Sequence, residues 1–144
     1  MEFEIQEMQL NDYTDVVEFW KKQSGVGLNE SDSREQIAQF LGRNPGLSRV
    51  VREKGRVIAA VLCGHDGRRG FLHHFAVDPE YRQRGIGRQL VAACLSDLST
   101  QRIIKCNIWV YADNEEGKKF WRSTGFAARM DLQILQRNTD QKAS

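Results

Sequence analysis

Apolar residues in this chain change their spacing several times, and each change marks a predicted element. Residues 3–8 alternate weakly and predict an opening edge strand. Tyr13, Val16, Val17, Phe19 and Trp20 then recur at helical spacing, with Asn11 or Asp12 as cap and Gly25 and Gly27 interrupting the pattern. A second helix is predicted over 34–41, capped by Asp32 with Glu35 soon after, and stopped by Asn44-Pro45-Gly46. Residues 48–53 and 56–63, joined by Lys54-Gly55, read as a β-hairpin. A reversal at His65-Asp66-Gly67 leads into a third antiparallel strand over 71–77. Ile86, Leu90, Cys94 and Leu98 lie along one side of a long helix, joined by Val91 and Leu95. A strand over 102–111, a helix over 114–124 and a closing strand over 126–135 complete the order.

That order, β-α-α-β-β-β-α-β-α-β, predicts an α/β fold. Its sheet is mixed, mostly antiparallel and twisted, with helices on both faces. Doubly wound dinucleotide folds alternate strand and helix throughout, and match it poorly. With 144 residues and no linker or repeat, the chain reads as one domain over 1–137 and a polar tail over 138–144.

Composition narrows the partners. Twenty-one Lys and Arg against nineteen Asp and Glu give a formal charge of +2, which offers no argument for a nucleic-acid partner, and with the positive residues centred on one turn none is expected. No apolar stretch is long enough for a bilayer, so no membrane partner is expected. The start lacks a secretion-signal pattern, and the expectation is a cytoplasmic protein. Cys63, Cys94 and Cys106 stand apart among apolar neighbours and read as free thiols. With no Cys-x-x-Cys or His-Glu-x-x-His spacing, no metal site is predicted.

The segment with the most chemistry is Arg82-Gln83-Arg84-Gly85-Ile86-Gly87-Arg88, between the strand over 71–77 and the long helix. Glycines at a helix start let a phosphate approach backbone N–H groups that have no intrahelical partner. The helix dipole favours acidic residues in a first turn, yet this one carries arginine. An anion, and in particular a diphosphate, is the predicted ligand. Arg68 and Arg69 are expected to join the same basic cluster. The Gly-Lys-Ser ending of a nucleoside-triphosphate loop is absent.

Arg82, Gly85 and Gly87, together with 114–126 and its Asn114, Phe120, Gly125 and Phe126, resemble the motifs of the GNAT superfamily, the GCN5-related N-acetyltransferases. The resemblance implies acetyl-CoA as co-substrate, with its pyrophosphate on the amides of Gln83, Arg84, Gly85, Ile86, Gly87 and Arg88. It also implies that Phe75, Ala76 and Val77 pair their backbone with the pantetheine arm, and that Asn114 contacts that arm. The activity implied is direct transfer of an acetyl group to a primary amine of a small molecule or polypeptide.

Direct transfer needs a neutral amine, a polarised carbonyl and routes for a proton and a thiolate. A backbone N–H near Val77 is the candidate for polarising the carbonyl. His73 and His74 are successive strand residues, so parity puts His73 with Phe71, Phe75 and Val77, and His74 with Leu72 and Ala76. Animal arylalkylamine acetyltransferases carry a proton-accepting histidine three positions before a comparable Ala-Val pair, and His73 matches it. His73 is therefore the favoured base. Many relatives place a tyrosine acid where this chain has Trp121, which cannot serve as one, and Tyr111 is the candidate substitute. Asn29, Glu30 and Asp32 border the expected acceptor side and can attract an ammonium group, while Trp20 and Trp109 read as core. The missing tyrosine also keeps open a CoA-responsive binding module with little turnover. An uncovered edge strand leaves a homodimer open.

Overall fold

The computed structural model describes residues 3–140, so the last four residues of the expected tail, and the first two of the chain, lie outside the described residues. In chain order the elements are β1 (Glu4–Glu7), α1 (Tyr13–Lys21), α2 (Arg34–Arg43), β2 (Arg49–Glu53), β3 (Arg56–His65), β4 (Arg69–Val77), α3 (Ile86–Thr100), β5 (Lys105–Ile108) and α4 (Glu115–Ser123). Short 3₁₀ turns at Leu10–Asp12, Glu30–Asp32 and Pro79–Tyr81 lead into α1, α2 and the segment before α3.

The sheet has the order β1-β2-β3-β4-β5. Its first three pairings are antiparallel, and β5 pairs parallel to β4. Lys54 and Gly55 both take positive φ, 52° and 80°, the tight hairpin geometry whose twist suits the flanking strands β2 and β3. As the middle strand, β3 is covered on both sides, and its residues 57–64 are all buried. Strand alternation sorts neighbours to opposite faces. Val50, Ala60 and Leu62 meet Val16, Phe19, Trp20 and Ile37 of α1 and α2. Val51, Ala59, Val61 and Cys63 meet Leu90, Val91, Cys94 and Leu98 of α3, and Trp121 of α4. Fully burying an aliphatic side chain of this kind stabilises the fold by about 1.5–3 kcal/mol.

Three expectations are corrected. The strand predicted over 102–111 shortens to Lys105–Ile108. The closing strand over 126–135 is not formed, and Met130, Leu132, Ile134 and Leu135 are exposed. Apolar alternation supplies strand propensity, but a strand also needs a partner edge, and this segment pairs with none of the described strands. The cap of α2 is Ser33, whose Oγ accepts the Gln36 N–H at 3.2 Å, not Asp32. Asp32 turns inward instead.

Candidate active site

The turn before α3 is built to present backbone donors. Gly85 holds φ 83° as the N-terminal cap of α3, and Gln83 before it also takes a left-handed conformation, φ 64°. The first amide of α3 with an intrahelical-type acceptor is that of Gln89, bonded to the Gly85 carbonyl at 3.0 Å. The amides of Gln83, Gly85, Ile86, Gly87 and Arg88 donate to no acceptor among the described residues. Gly87 is required for a different reason: a Cβ there would sit 3.1 Å from Phe120 and 3.3 Å from Phe75.

The arginines brace this turn. The Arg82 Nε donates to the Val77 carbonyl at 3.2 Å, tying the turn to the end of β4. Arg84 lies over the Tyr81 ring at 5.0 Å. Arg88 reaches the carbonyl and Oγ of Ser123, at 3.3 and 3.0 Å, at the end of α4. Arg68 and Arg69 do not join the group, because they stand at the opposite end of β4 from Val77.

A cavity of about 1270 Å³ extends from this turn to the α1 and α2 side of the sheet. It exists because β5 pairs with β4 only from Arg69 to Leu72. From His73 to Val77, that edge of β4 has no strand partner among the described residues. Phe75, Ala76 and Val77 line the opening, as do Arg82, Gly85 and Asn114. Asn114 also caps α4, its Oδ1 accepting the Gly117 N–H at 2.9 Å, so its Nδ2 is the group left for a ligand.

The histidines depart from strand parity. Ala60 pairs with Ala76, yet Leu62 pairs with His73, so β4 carries an extra residue opposite β3. This bulge centres on His74, whose φ is 54°. A non-glycine residue held there is strained, at a cost on the order of 1–3 kcal/mol. The bulge turns both imidazoles to the α1 and α2 side, correcting the expectation that they face opposite ways. His73 stacks on Phe71 at 5.8 Å and packs against Trp109 at 4.9 Å and Phe40 at 6.3 Å. Burial, and then the neighbouring charge of His74, lower its pKa below the ordinary value, with Asp32 opposing. His74 meets the edge of Trp20 at 5.0 Å, and its Nε2 lies 2.8 Å from Asp32 Oδ1.

Asp32 is held for this contact. Only 8 % exposed, it accepts the Asn29 N–H at 3.1 Å through Oδ2, and its carbonyl accepts the Tyr13 hydroxyl at 2.7 Å. No local pattern marks this pairing, because Asp32 occupies a position that suits a helix cap and a bulge has no local code. Trp20 is fully buried as expected, but Trp109 is 56 % exposed and forms part of the cavity wall rather than core.

Tyr111 also lines the cavity, 53 % exposed. Its hydroxyl lies so close to Gly27 that a Cβ on that glycine would overlap it. Trp121 is buried among Phe75, Phe120 and Phe126, at ring separations of 4.9–5.1 Å. Packing accounts for it. Cys63 and Cys94 are buried, and burial pushes the Cys106 thiol up to about 12. The Cys63 thiol is likewise raised, by its hydrogen bond with the Cys94 thiol and by burial, so neither Cys63 nor Cys106 is a ready nucleophile.

A model of the acetyltransferase (GNAT) family matches residues 13–126. An acetyltransferase of Sodalis glossinidius (strain morsitans) is 29% identical over 112 residues, 78% of each chain. One of Pectobacterium atrosepticum is 27% identical over 112 residues, 78% of this chain and 79% of the other. Among solved structures, Ard1 from Thermoplasma volcanium superposes with a TM-score of 0.76 at 22% identity, covering 88% of this chain and 84% of that one. The PaiA N-acetyltransferase from Thermoplasma acidophilum, in complex with coenzyme A, also gives 0.76, at 18% identity, covering 90% and 92%.

Proposed function

The chain belongs to the GNAT acetyltransferase family, and we propose that it moves an acetyl group from acetyl-CoA directly to a primary amine. The observation that carries this reading is a single cavity joining the free amides before α3, the unpaired edge of β4 and the two histidines. A helix N-terminus with unpartnered donors suits a pyrophosphate. The coenzyme A complex of the PaiA protein, which shares the fold, is consistent with such a ligand.

The co-substrate supplies the activated thioester. On this reading the chain supplies placement and polarity. Amides from Gln83 to Arg88 hold the pyrophosphate while Arg82, Arg84 and Arg88 fix the turn around it. The open edge from Phe75 to Val77 aligns the arm, and Asn114 Nδ2 offers it a further donor. An N–H near Val77 polarises the acetyl carbonyl. Tyr111 presents a hydroxyl with no hydrogen-bond partner among the described residues, close enough to the cavity to serve the departing thiolate. Holding both reactants in register is the larger part of the catalysis.

The acceptor enters from the side of α1 and α2. His73 and Trp109 line that side with their rings 4.9 Å apart, which suits an amine carried on an apolar or aromatic body. With three unpaired cysteines, we place the protein in the cytoplasm.

The test is release of free CoA from acetyl-CoA across a panel of arylalkylamines, amino sugars and lysine or N-terminal peptides, with acetylated product identified by mass. CoA release matched by acetylated amine supports the reading. Tight acetyl-CoA binding with no transfer to any amine overturns it in favour of a CoA-binding module.

A further inference from the structure

We propose that His74, held by Asp32, takes the proton from the acceptor amine, and that His73 does not. This rests on the acetyl-transfer reading and names the proton acceptor within it.

Hydrogen-bond chemistry fixes the tautomer. An ionised carboxylate can only accept, so the 2.8 Å contact between Asp32 Oδ1 and His74 Nε2 places the imidazole hydrogen on Nε2. Nδ1 then carries the bare lone pair. It has no hydrogen-bond partner among the described residues and is not sealed, and His74 is one of the residues that line the cavity. The one buried, unpartnered side-chain nitrogen or oxygen among the described residues is Trp20 Nε1. A base oriented by a carboxylate on one nitrogen and free on the other is the arrangement that lets a histidine accept a proton and bear the resulting charge.

The surroundings hold that arrangement in place. Trp20 abuts the His74 ring, and Asn29 and Tyr13 pin Asp32 from two directions. The left-handed backbone at His74 adds a second indication, since without the bulge this ring would not share a face with His73. His73 lacks every one of these features. Its contacts are aromatic rings, no hydrogen bond within the described residues fixes its tautomer, and burial works against its protonation.

The charged and titratable groups around His74 are few. Its own strand gives His73. The turn before α2 gives Asp32, and α1 gives Tyr13, with Arg34 of α2 5.9 Å above that ring. The middle strand contributes apolar Leu62. Among the described residues, Asp32 is the acid that contacts the imidazole.

The amine nitrogen donates its lone pair to the thioester carbonyl carbon, forming the C–N bond. His74 Nδ1 takes the N–H proton as the C–S bond breaks and its electron pair moves to sulfur. The imidazolium then passes the proton to the thiolate or to water, giving amide and free CoA. His74 is the catalytic residue in this scheme, and Asp32 is a positioning residue.

The test compares wild type with His74→Gln, Asp32→Asn and His73→Gln, using acetyl-CoA and the best amine of the panel. Acetyl-CoA affinity by calorimetry and the melting temperature show that each variant is folded and loaded. Removing a general base lowers kcat by about 10²–10⁴-fold, and His74→Gln should do so while abolishing the fall in rate at acid pH. Asp32→Asn can present its amide hydrogens to Nε2 and force the other tautomer, so it should lower kcat more than it raises KM. His73→Gln should keep the acid limb and change mainly KM. Nitrogen NMR of the wild-type imidazoles supplies an independent readout, with hydrogen on Nε2 of His74 expected. Hydrogen on Nδ1, or an acid limb lost in His73→Gln and kept in His74→Gln, overturns the dyad. A wild-type protein that acetylates no amine overturns the transfer reading on which the dyad rests, so the two failures are distinct.

Discussion

Replacing Gly85 by valine tests whether the left-handed cap of α3 aims the amides at a phosphate. A Cβ there meets open space, with Gln89 Nε2 the nearest atom at 3.9 Å, so crowding is not the obstacle. The obstacle is φ 83°. An L-residue in that region costs about 1–2 kcal/mol, and a β-branched one more. Loss of glycine's unfolded-state freedom offsets about 0.4–1 kcal/mol. The net destabilisation is on the order of 1–2 kcal/mol, a drop of roughly 3–8 °C in melting temperature for a domain of this size. The effect on ligand is larger. If the chain escapes the strain by rotating the Gly85–Ile86 peptide, at least one amide leaves the cradle. A hydrogen bond to a charged group contributes about 1.5–3 kcal/mol, so acetyl-CoA affinity should fall on the order of tenfold to a hundredfold. Titration calorimetry measures this directly. Gly85→Asn is the control, because asparagine tolerates left-handed φ, and it should retain most of the affinity. A valine variant that melts and binds like wild type would refute the cradle, because the amides would then be aimed by something other than this φ.

Gly87→Ala should destabilise by about 1–3 kcal/mol through contact with Phe120 and Phe75, and Phe120→Leu should restore part of that in thermal melts, whereas it should not rescue Gly85→Val. Ser33→Ala should cost about 1 kcal/mol from the lost cap of α2, read by denaturant unfolding, with little change in turnover. That separates the helix cap from the role of Asp32. The folded pKa of His73 lies below its unfolded value, so the unfolded chain binds more protons between the two. Its contribution is therefore complete above the ordinary histidine value and is lost as pH falls toward the lowered one. His73→Phe should flatten the decline in unfolding free energy from about pH 7 to 5, and an unchanged decline would show that another group carries it.

Much of this molecule was legible from short stretches of chain. The amphipathic spacing of α1 and α3, the Lys54-Gly55 hairpin and the glycine-spaced turn before α3 all depend on neighbours within one or two turns of backbone, and residue type controls that scale directly. The two glycines even carry separate reasons, one conformational and one steric, although the Phe120 contact that defines the second comes from α4. The motifs around Gly85 and Asn114 also point to the family, because their residues are adjacent in the chain. What they could not supply was direction: which way a side chain on β4 faces once an extra residue interrupts the ladder.

That direction was decided by tertiary structure. His74 and Asp32 are 42 positions apart, and their contact depends on the bulge in β4, the placement of the turn before α2 and the fully buried Trp20 between elements. A strand pattern alone puts His73 and His74 on opposite faces, and a capping pattern alone gives Asp32 a local task that Ser33 performs. The segment over 126–135 shows the same limit from the other side, since its alternation predicts a strand, yet it pairs with none of the described strands. Local sequence sets which conformations a segment can adopt cheaply, whereas which of them is kept depends on contacts between segments far apart in the chain.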